Sequence, residues 1–204
     1  MTILLNVPPV IDVWVDPICP FCYVAVERAQ WLRERFGAEL RWHPFDLHPE
    51  YPPEGIPRAK LLARYGEAMQ QQVREMLEAT GLPLGELPDR VPNSRNAQRV
   101  AISAGERRGE LLRRFEDAYW ARGRDIGNDD VIVEEAAAEG LDEQAVREVI
   151  GSDAHLDVLL SETEQIVEAG ATGVPAWVVD GAALIPGAQP HEVFERILER
   201  LGHT

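Results

Sequence analysis

Cys19 and Cys22, the two cysteines of the chain, stand two residues apart in the stretch DPICPFCYVA. Such a pair can be half of a metal clip, a structural pair, or a dithiol that exchanges with other disulfides. A zinc site needs about four ligands. No second cysteine pair is present, and the five histidines are scattered at 43, 48, 155, 191 and 203. Position favours the dithiol. Residues 11–15, IDVWV, are rich in β-branched and aromatic side chains and stop at Asp16-Pro17, so they read as a buried strand. From Cys19 onward Ala25, Ala29, Leu32 and Phe36 recur at helical spacing until Gly37. With Cys19 as N-cap, Pro20 takes the first helical position, where its fixed φ suits the helix. The N–H groups of Phe21 and Cys22 then point at the Cys19 sulfur, and the helix dipole adds to them, favouring the thiolate. Cys19 is therefore the expected nucleophile. Cys22, one turn in and more covered, can close a disulfide and release whatever Cys19 has attacked.

A second strand, ELRWHPF at 39–45, completes a strand–helix–strand unit whose strands should be parallel, with Pro44 marking a sheet edge or a strand end. From Pro57 to Gly170 helical patterns follow one another with no strand between them. Leu62, Tyr65, Met69, Val73 and Met76 make one apolar stripe, closed at Gly81. Ser94 is placed to cap a helix carrying Ala97, Val100, Ala101 and Ala104; Leu112, Phe115 and Tyr119 mark the next. Asn128 caps another, ending at Gly140, and Leu141, Asp142 and Val146 suit a staple around an N-cap. Leu156, Leu159, Thr163 and Ile166 form a last stripe. AWVV at 176–179 and AALI at 182–185 then flank Asp180-Gly181, a hairpin signal. Val193, Ile197 and Leu201 define a C-terminal helix.

The 204 residues carry 45% apolar and 27% charged side chains and a net charge of −15, the mark of a globular chain that nucleic acid and anionic membrane surfaces would repel. Thirteen acidic residues against Arg147 alone lie between Asp129 and Glu168, which reads as a solvated helical face. The opening MTILLNVPPV has no basic residue before its short apolar run and is unlike a signal peptide. No stretch approaches the ~20 apolar residues that span a bilayer. These features predict a cytoplasmic protein, where a close cysteine pair is catalytic or metal-binding rather than structural.

DPICPFCY, RWHPFDLHPEYPPEGIP, PNSRNAQRVA and ATGVPAWVVDGAALIPGAQP together resemble the DsbA-type branch of the thioredoxin superfamily, within it the FrnE-like oxidoreductases. The resemblance spans nearly the whole chain. It implies an α/β thioredoxin fold, residues 1–52 and 153–204, interrupted by an all-helical domain, residues 53–152. It also implies Cys19 as attacking and Cys22 as resolving cysteine, and a cis Val174–Pro175 bond facing them. Val174 would offer its backbone to an extended substrate, and Pro175 would keep metal off the thiolates. Pro20, Phe21 and Asn93 join them as substrate-contacting candidates; Phe21 stands where related chains often carry tryptophan. No organic cofactor or metal is required by this chemistry, with a small thiol or a thiol reductase as redox partner and disulfide- or thiol-bearing proteins or small thiols as substrates. The fold also hosts glutathione-dependent isomerases that lack the second cysteine, and PNSRNAQR resembles a stretch near their cleft, where Asn93 and Ser94 could bind a thiol cofactor. A redox-sensing holdase is a third, non-enzymatic possibility. Asp16 is either a proton relay or a turn residue, His43 and His48 are surface or core residues, and the five tryptophans are core or interface aromatics.

Overall fold

The computed structural model describes residues 7–203. Residues 1–6, part of the stretch read above as unlike a signal peptide, and residue 204 lie outside the described residues.

Strand β1 (Val10–Val15) feeds helix α1 (Pro20–Phe36), which returns to strand β2 (Glu39–Pro44). β1 and β2 are parallel, as the right-handed crossover of such a unit requires, with Val13 opposite Trp42. Cys22, Ala25, Ala29, Leu32 and Phe36 form the buried stripe of α1, and Gly37, at φ 66°, ends it in the left-handed region. Strands β5 (Ala176–Val179) and β6 (Ala183–Pro186) form the predicted hairpin, with Asp180 and Gly181 both at positive φ as its turn demands. β5 lies antiparallel to β1, giving the order β2-β1-β5-β6 and leaving β2 with its Pro44 at an edge. Helix α8 (His191–Leu201) covers the hairpin side, Phe194 meeting Trp177 edge to face at 5.1 Å. Its buried residues are Phe194 and Leu198. The predicted Val193-Ile197-Leu201 stripe sits one position off, and Leu201 is exposed.

Between β2 and β5 run α2 (Arg58–Ala79), α3 (Arg95–Ser103), α4 (Arg108–Trp120), α5 (Asp129–Ala138), α6 (Glu143–Ile150) and α7 (Leu156–Glu168). Asn128 caps α5 by accepting from Asp130 N at 2.9 Å, and Asp142 caps α6 by accepting from Ala145 N at 2.9 Å. Two expectations fail here. A short antiparallel pair, β3 (Ile56–Pro57) with β4 (Arg90–Val91), interrupts the helical block. Two-residue strands carry no period to read, and the pair depends on Gly55, whose Cβ would lie 2.2 Å from the Val91 carbonyl oxygen. The apolar stripe of α2 is also not a core stripe. Gly66 leaves helical geometry at φ 72°, ψ 168°, so the periodicity does not carry across it. Leu62, Tyr65 and Met69 are exposed, and Leu77 is the helix's one buried residue.

Helix α4 is pressed against β2, where Gly109 leaves room for the Trp42 indole: an added Cβ would lie 2.7 Å from Trp42 Cδ1. Polar groups join the same elements. His43 bonds Asp12 through Nε2 at 2.7 Å and Glu162 through Nδ1 at 3.0 Å, and Arg108 donates to Glu162 at 2.6 Å. Burial alone would raise Glu162, but His43 and Arg108 outweigh it and hold the carboxyl below its usual range. The acidic run is therefore more than a solvated face. Glu135 within it is 1% exposed, takes charge-assisted bonds from Arg122 and Arg124 and forms an ion pair with Arg114 at 2.8 Å.

Candidate functional site: a buried dithiol at a helix start

Cys19 occupies the N-cap of α1, with Pro20 as first helical residue. The turn before it closes through Cys19 N to the Asp16 carbonyl at 2.9 Å. The sequence expectation that the cysteine sulfur would accept from the first helical N–H groups is not met. The Cys19 thiol instead donates to the Val174 carbonyl at 3.5 Å, while Cys22 N bonds the Cys19 carbonyl oxygen at 3.1 Å. A protonated thiol is a donor, and a carbonyl oxygen is its better partner. Val174 precedes Pro175 through a cis peptide bond, on the loop leading into β5. That loop therefore lies against the Cys19 sulfur. Both cysteines are reduced and buried, Cys19 at 3% and Cys22 at 0% exposure, so Cys19 is less open than the sequence suggested. Pro20 and Phe21 between them are half-buried. Burial first, then the hydrogen bond and charge of Cys19 and the charge of Glu116, push the Cys22 thiol well up.

Two buried carboxyls accompany the dithiol. Asp16, fully buried, accepts from Ile18 N at 3.1 Å, Leu47 N at 3.1 Å and Ser94 Oγ at 2.7 Å. Burial raises it from 3.8 to about 6, those three donors pulling the other way. It thus ties the loop before Cys19 to the segment after β2 and to α3. Ser94, read as a helix cap, spends its hydroxyl on Asp16 and in turn accepts from Gln98 Nε2 at 3.1 Å. Asn93 takes the capping role. Its Oδ1 accepts from Arg95 N at 2.9 Å and its Nδ2 donates to the Tyr51 carbonyl at 2.8 Å, so its amide is engaged within the fold.

Glu116 is the residue that sequence reasoning missed. It lies on α4 one turn before Trp120, whose indole N–H donates to the Pro17 carbonyl at 3.0 Å and whose ring stacks on Tyr23. The available signal was a carboxylate at i+4 from Leu112 and i−4 from Trp120, on the apolar face of its helix. Among the described residues no group of three or more His, Cys, Asp or Glu is arranged to hold a metal, and no helix is long and apolar enough to cross a membrane.

A parallel β-α-β unit completed by a β-hairpin and helix, with a CxxC pair at the first helix and a cis-proline loop against it, defines a class: the chain belongs to the DSBA-like thioredoxin domain family, which it matches over residues 10–199. Among individual relatives it is 25% identical over 193 residues to YwbO, an uncharacterized protein of Bacillus subtilis, covering 92% of this chain and 94% of that one. A probable DsbA oxidoreductase of Streptomyces coelicolor superposes with a TM-score of 0.83 at 29% identity, covering 94% of this chain and 89% of the other. A 2-hydroxychromene-2-carboxylate isomerase shares the fold with a TM-score of 0.73 at 20% identity, over 94% and 95% of the two chains. The cytosolic disulfide reductase DsbM of Pseudomonas aeruginosa does so with a TM-score of 0.66 at 21% identity, over 95% and 100%.

Proposed function

We propose that the protein is a thiol–disulfide oxidoreductase that cycles between a Cys19–Cys22 disulfide and a dithiol. One observation carries the reading: two free thiols one helical turn apart at the start of α1, the outer one in contact with the Val174 carbonyl. Acting as a reductant, the Cys19 thiolate attacks one sulfur of a substrate disulfide and the other sulfur leaves with the bonding electrons. Cys22, once deprotonated, attacks the Cys19 sulfur and releases the second substrate thiol. Two electrons have passed to the substrate, and a small thiol or a thiol reductase resets the pair; as an oxidant the same steps run in reverse. Formation of the mixed disulfide removes the Cys19 S–H, which frees the Val174 carbonyl to accept from an amide of the substrate. Pro175, buried beside it, supplies no N–H of its own. A cytoplasmic setting and substrates among disulfide-bearing proteins or small thiols accord with the likeness to a cytosolic disulfide reductase.

The likeness to the isomerase supports a second reading, a glutathione-dependent isomerase. Cys22 has no task in that reaction. The two separate on non-reducing electrophoresis after incubation with a disulfide-bearing protein. Cys22→Ser lacks the intramolecular escape and should accumulate a covalent adduct cleaved by dithiothreitol, whereas Cys19→Ser should yield at least tenfold less. Equal yields from the two variants would overturn the assignment of roles, and no adduct from either would overturn the exchange reading.

A further inference from the structure

A cavity of about 790 Å³ lies between the later turns of α1, strand β2 and the first half of α4. Small-molecule ligands occupy spaces of this size. Arg33 from α1 and Arg113 from α4 both line it, and neither has a hydrogen-bond or ion-pair partner among the described residues. On an open surface an unpaired arginine is ordinary, because water solvates it. Two that share one cavity repel each other, and nothing in the fold relieves that. The helix dipole accounts for Arg33, which stands in the last turn of α1, but not for Arg113, which stands in the middle of α4.

The carboxylates within reach of Arg113 are committed elsewhere or stand apart. Asp117, its natural partner one turn on, is held by Arg122 at 3.0 Å, and Glu139 in the same wall by Arg114 at 2.8 Å. Glu106 and Glu110 also border the cavity but are exposed, where water weakens their field. Glu116 is buried without a partner. Of the other arginines here, Arg41 is paired with Glu39 at 2.8 Å and Arg108 with Glu162 at 2.6 Å. Arg113 is nevertheless held in place, its guanidinium carbon 5.9 Å from the centre of the buried Trp42 ring. Partial desolvation, then the charge of Arg113, lower the Arg33 guanidinium from its usual value. The buried side-chain atoms of the wall that lack a hydrogen-bond partner are all N–H donors, those of the Trp42 indole and Arg108 Nε among them. The wall thus has positive charge and donors to spare, which an anion would satisfy.

We propose that this cavity binds a phosphate group, with Arg33 and Arg113 holding it from two helices. Charge and shape select that group. A phosphate monoester carries about −1.5 to −2 at pH 7 and three acceptor oxygens, which matches two guanidiniums. Each guanidinium presents a planar fork. A tetrahedral anion offers several pairs of oxygens to forks arriving from different directions, whereas one carboxylate offers a single planar edge. The space is far larger than a bare phosphate, so the rest of a small metabolite fits beside it. Arg33 stands fourteen residues beyond Cys19, about 21 Å along the axis of α1. The site is therefore separate from the dithiol and stands or falls without it. A phosphate shared by Arg33 and Arg113 fastens α4 to α1, and stability then grows with ligand concentration.

Calorimetric titration of the reduced full chain tests this, in phosphate-free buffer at constant ionic strength, with inorganic phosphate, glycerol phosphate and malonate as probes. Wild type should bind phosphate saturably with a Kd of about 1 mM or tighter. Malonate, a dicarboxylate of similar charge, should bind at least fivefold more weakly. Arg33→Gln and Arg113→Gln should each weaken phosphate at least tenfold. Arg147→Gln, which removes an arginine paired with Asp130 away from the cavity, should stay within twofold. Arg33 is exposed and unpaired, so its variant keeps the fold and decides the matter if Arg113→Gln does not fold. The melting temperature should rise with phosphate in wild type and not in Arg33→Gln. Glycerol phosphate bound at least as tightly as the free ion is the expected result and assigns a phosphorylated metabolite; binding of the free ion alone assigns inorganic phosphate, and either upholds the site. No saturable binding to wild type up to about 20 mM phosphate, undiminished binding in Arg33→Gln, or malonate bound as tightly as phosphate overturns the proposal.

Discussion

Asp16→Asn offers a test in which pH does the discriminating. Asp16 is held by three donors but buried completely, and burial wins, placing its carboxyl at about 6 in the folded chain against 3.8 unperturbed. A carboxyl raised on folding binds its proton more tightly in the native state, so stability is greatest below pH 3.8, falls as the pH climbs through the window to about 6, and stays lower above it. Moving one carboxyl across that window corresponds to about 3 kcal/mol. The asparagine cannot titrate. Its amide oxygen can still accept from Ile18 N and Ser94 Oγ, but its NH2 would confront the Leu47 N–H, a loss that does not depend on pH. The expected pattern is a variant less stable than wild type near pH 4 that recovers about 2.4 kcal/mol relative to wild type by pH 7, closing or reversing the gap. Urea unfolding followed by tryptophan fluorescence at several pH values between 4 and 7.5 measures it. Groups that do not sense Asp16 cancel between the two proteins, so the difference reads position 16 together with Glu116, which its charge raises. A gap that is constant across the range, or that widens as pH rises, would refute the reasoning.

Two further outcomes follow from packing and charge. Glu135→Gln removes the anion shared by Arg114, Arg122 and Arg124 and should cost roughly 3 kcal/mol, the low end for breaking a buried pair, because the arginines stay partly hydrated. Burial alone would raise Glu135, but Arg122 and Arg124 hold it below the usual range, so this cost should shrink as the pH falls through that lowered value; urea midpoints at pH 3 and 7 check it. Gly109→Ala would ordinarily gain about 1 kcal/mol in helix propensity. Here the new methyl meets Trp42, overpacking costs about 1–3 kcal/mol, and calorimetry should show a lowered melting temperature.

The elements that the sequence made legible are those whose signals are local. Pro20 at a helix start, Gly37 at its end, Asn128 and Asp142 as caps, and Asp180-Gly181 between two apolar runs each act within a few residues of themselves. Periodicity served α1 and α4 because their faces are continuous. It misled on α2, where Gly66 breaks the phase, and on α8, where Phe194 and Leu198 are the buried residues and Val193 and Ile197 only partly buried beside them. At the site the spacing of Cys19 and Cys22 was plain, but the groups around them were not. Ser94 looks like a cap to any local rule, and only the fold brings it to Asp16, 78 positions away. Glu116 reads as one more charge in a charged helix until Trp120 shows which way that face points.

The pairing of β1 with β5 also governs how the chain must be made. Ile11 lies opposite Val179, so the central ladder of the sheet closes only when the whole long segment between them is available. Closing so long a loop is entropically expensive before any contact repays it, which makes this step late and slow beside the formation of the helices. During synthesis the segment holding Cys19 and Cys22 emerges well before the Val174 carbonyl, 155 residues further on, and the β5 strand that follows it. For that interval Cys19 lacks the Val174 carbonyl and the loop that lies against it. The chain is thus most open to stray oxidation while it is still being built, and synthesis in the presence of a reducing thiol should raise the yield of folded dithiol protein.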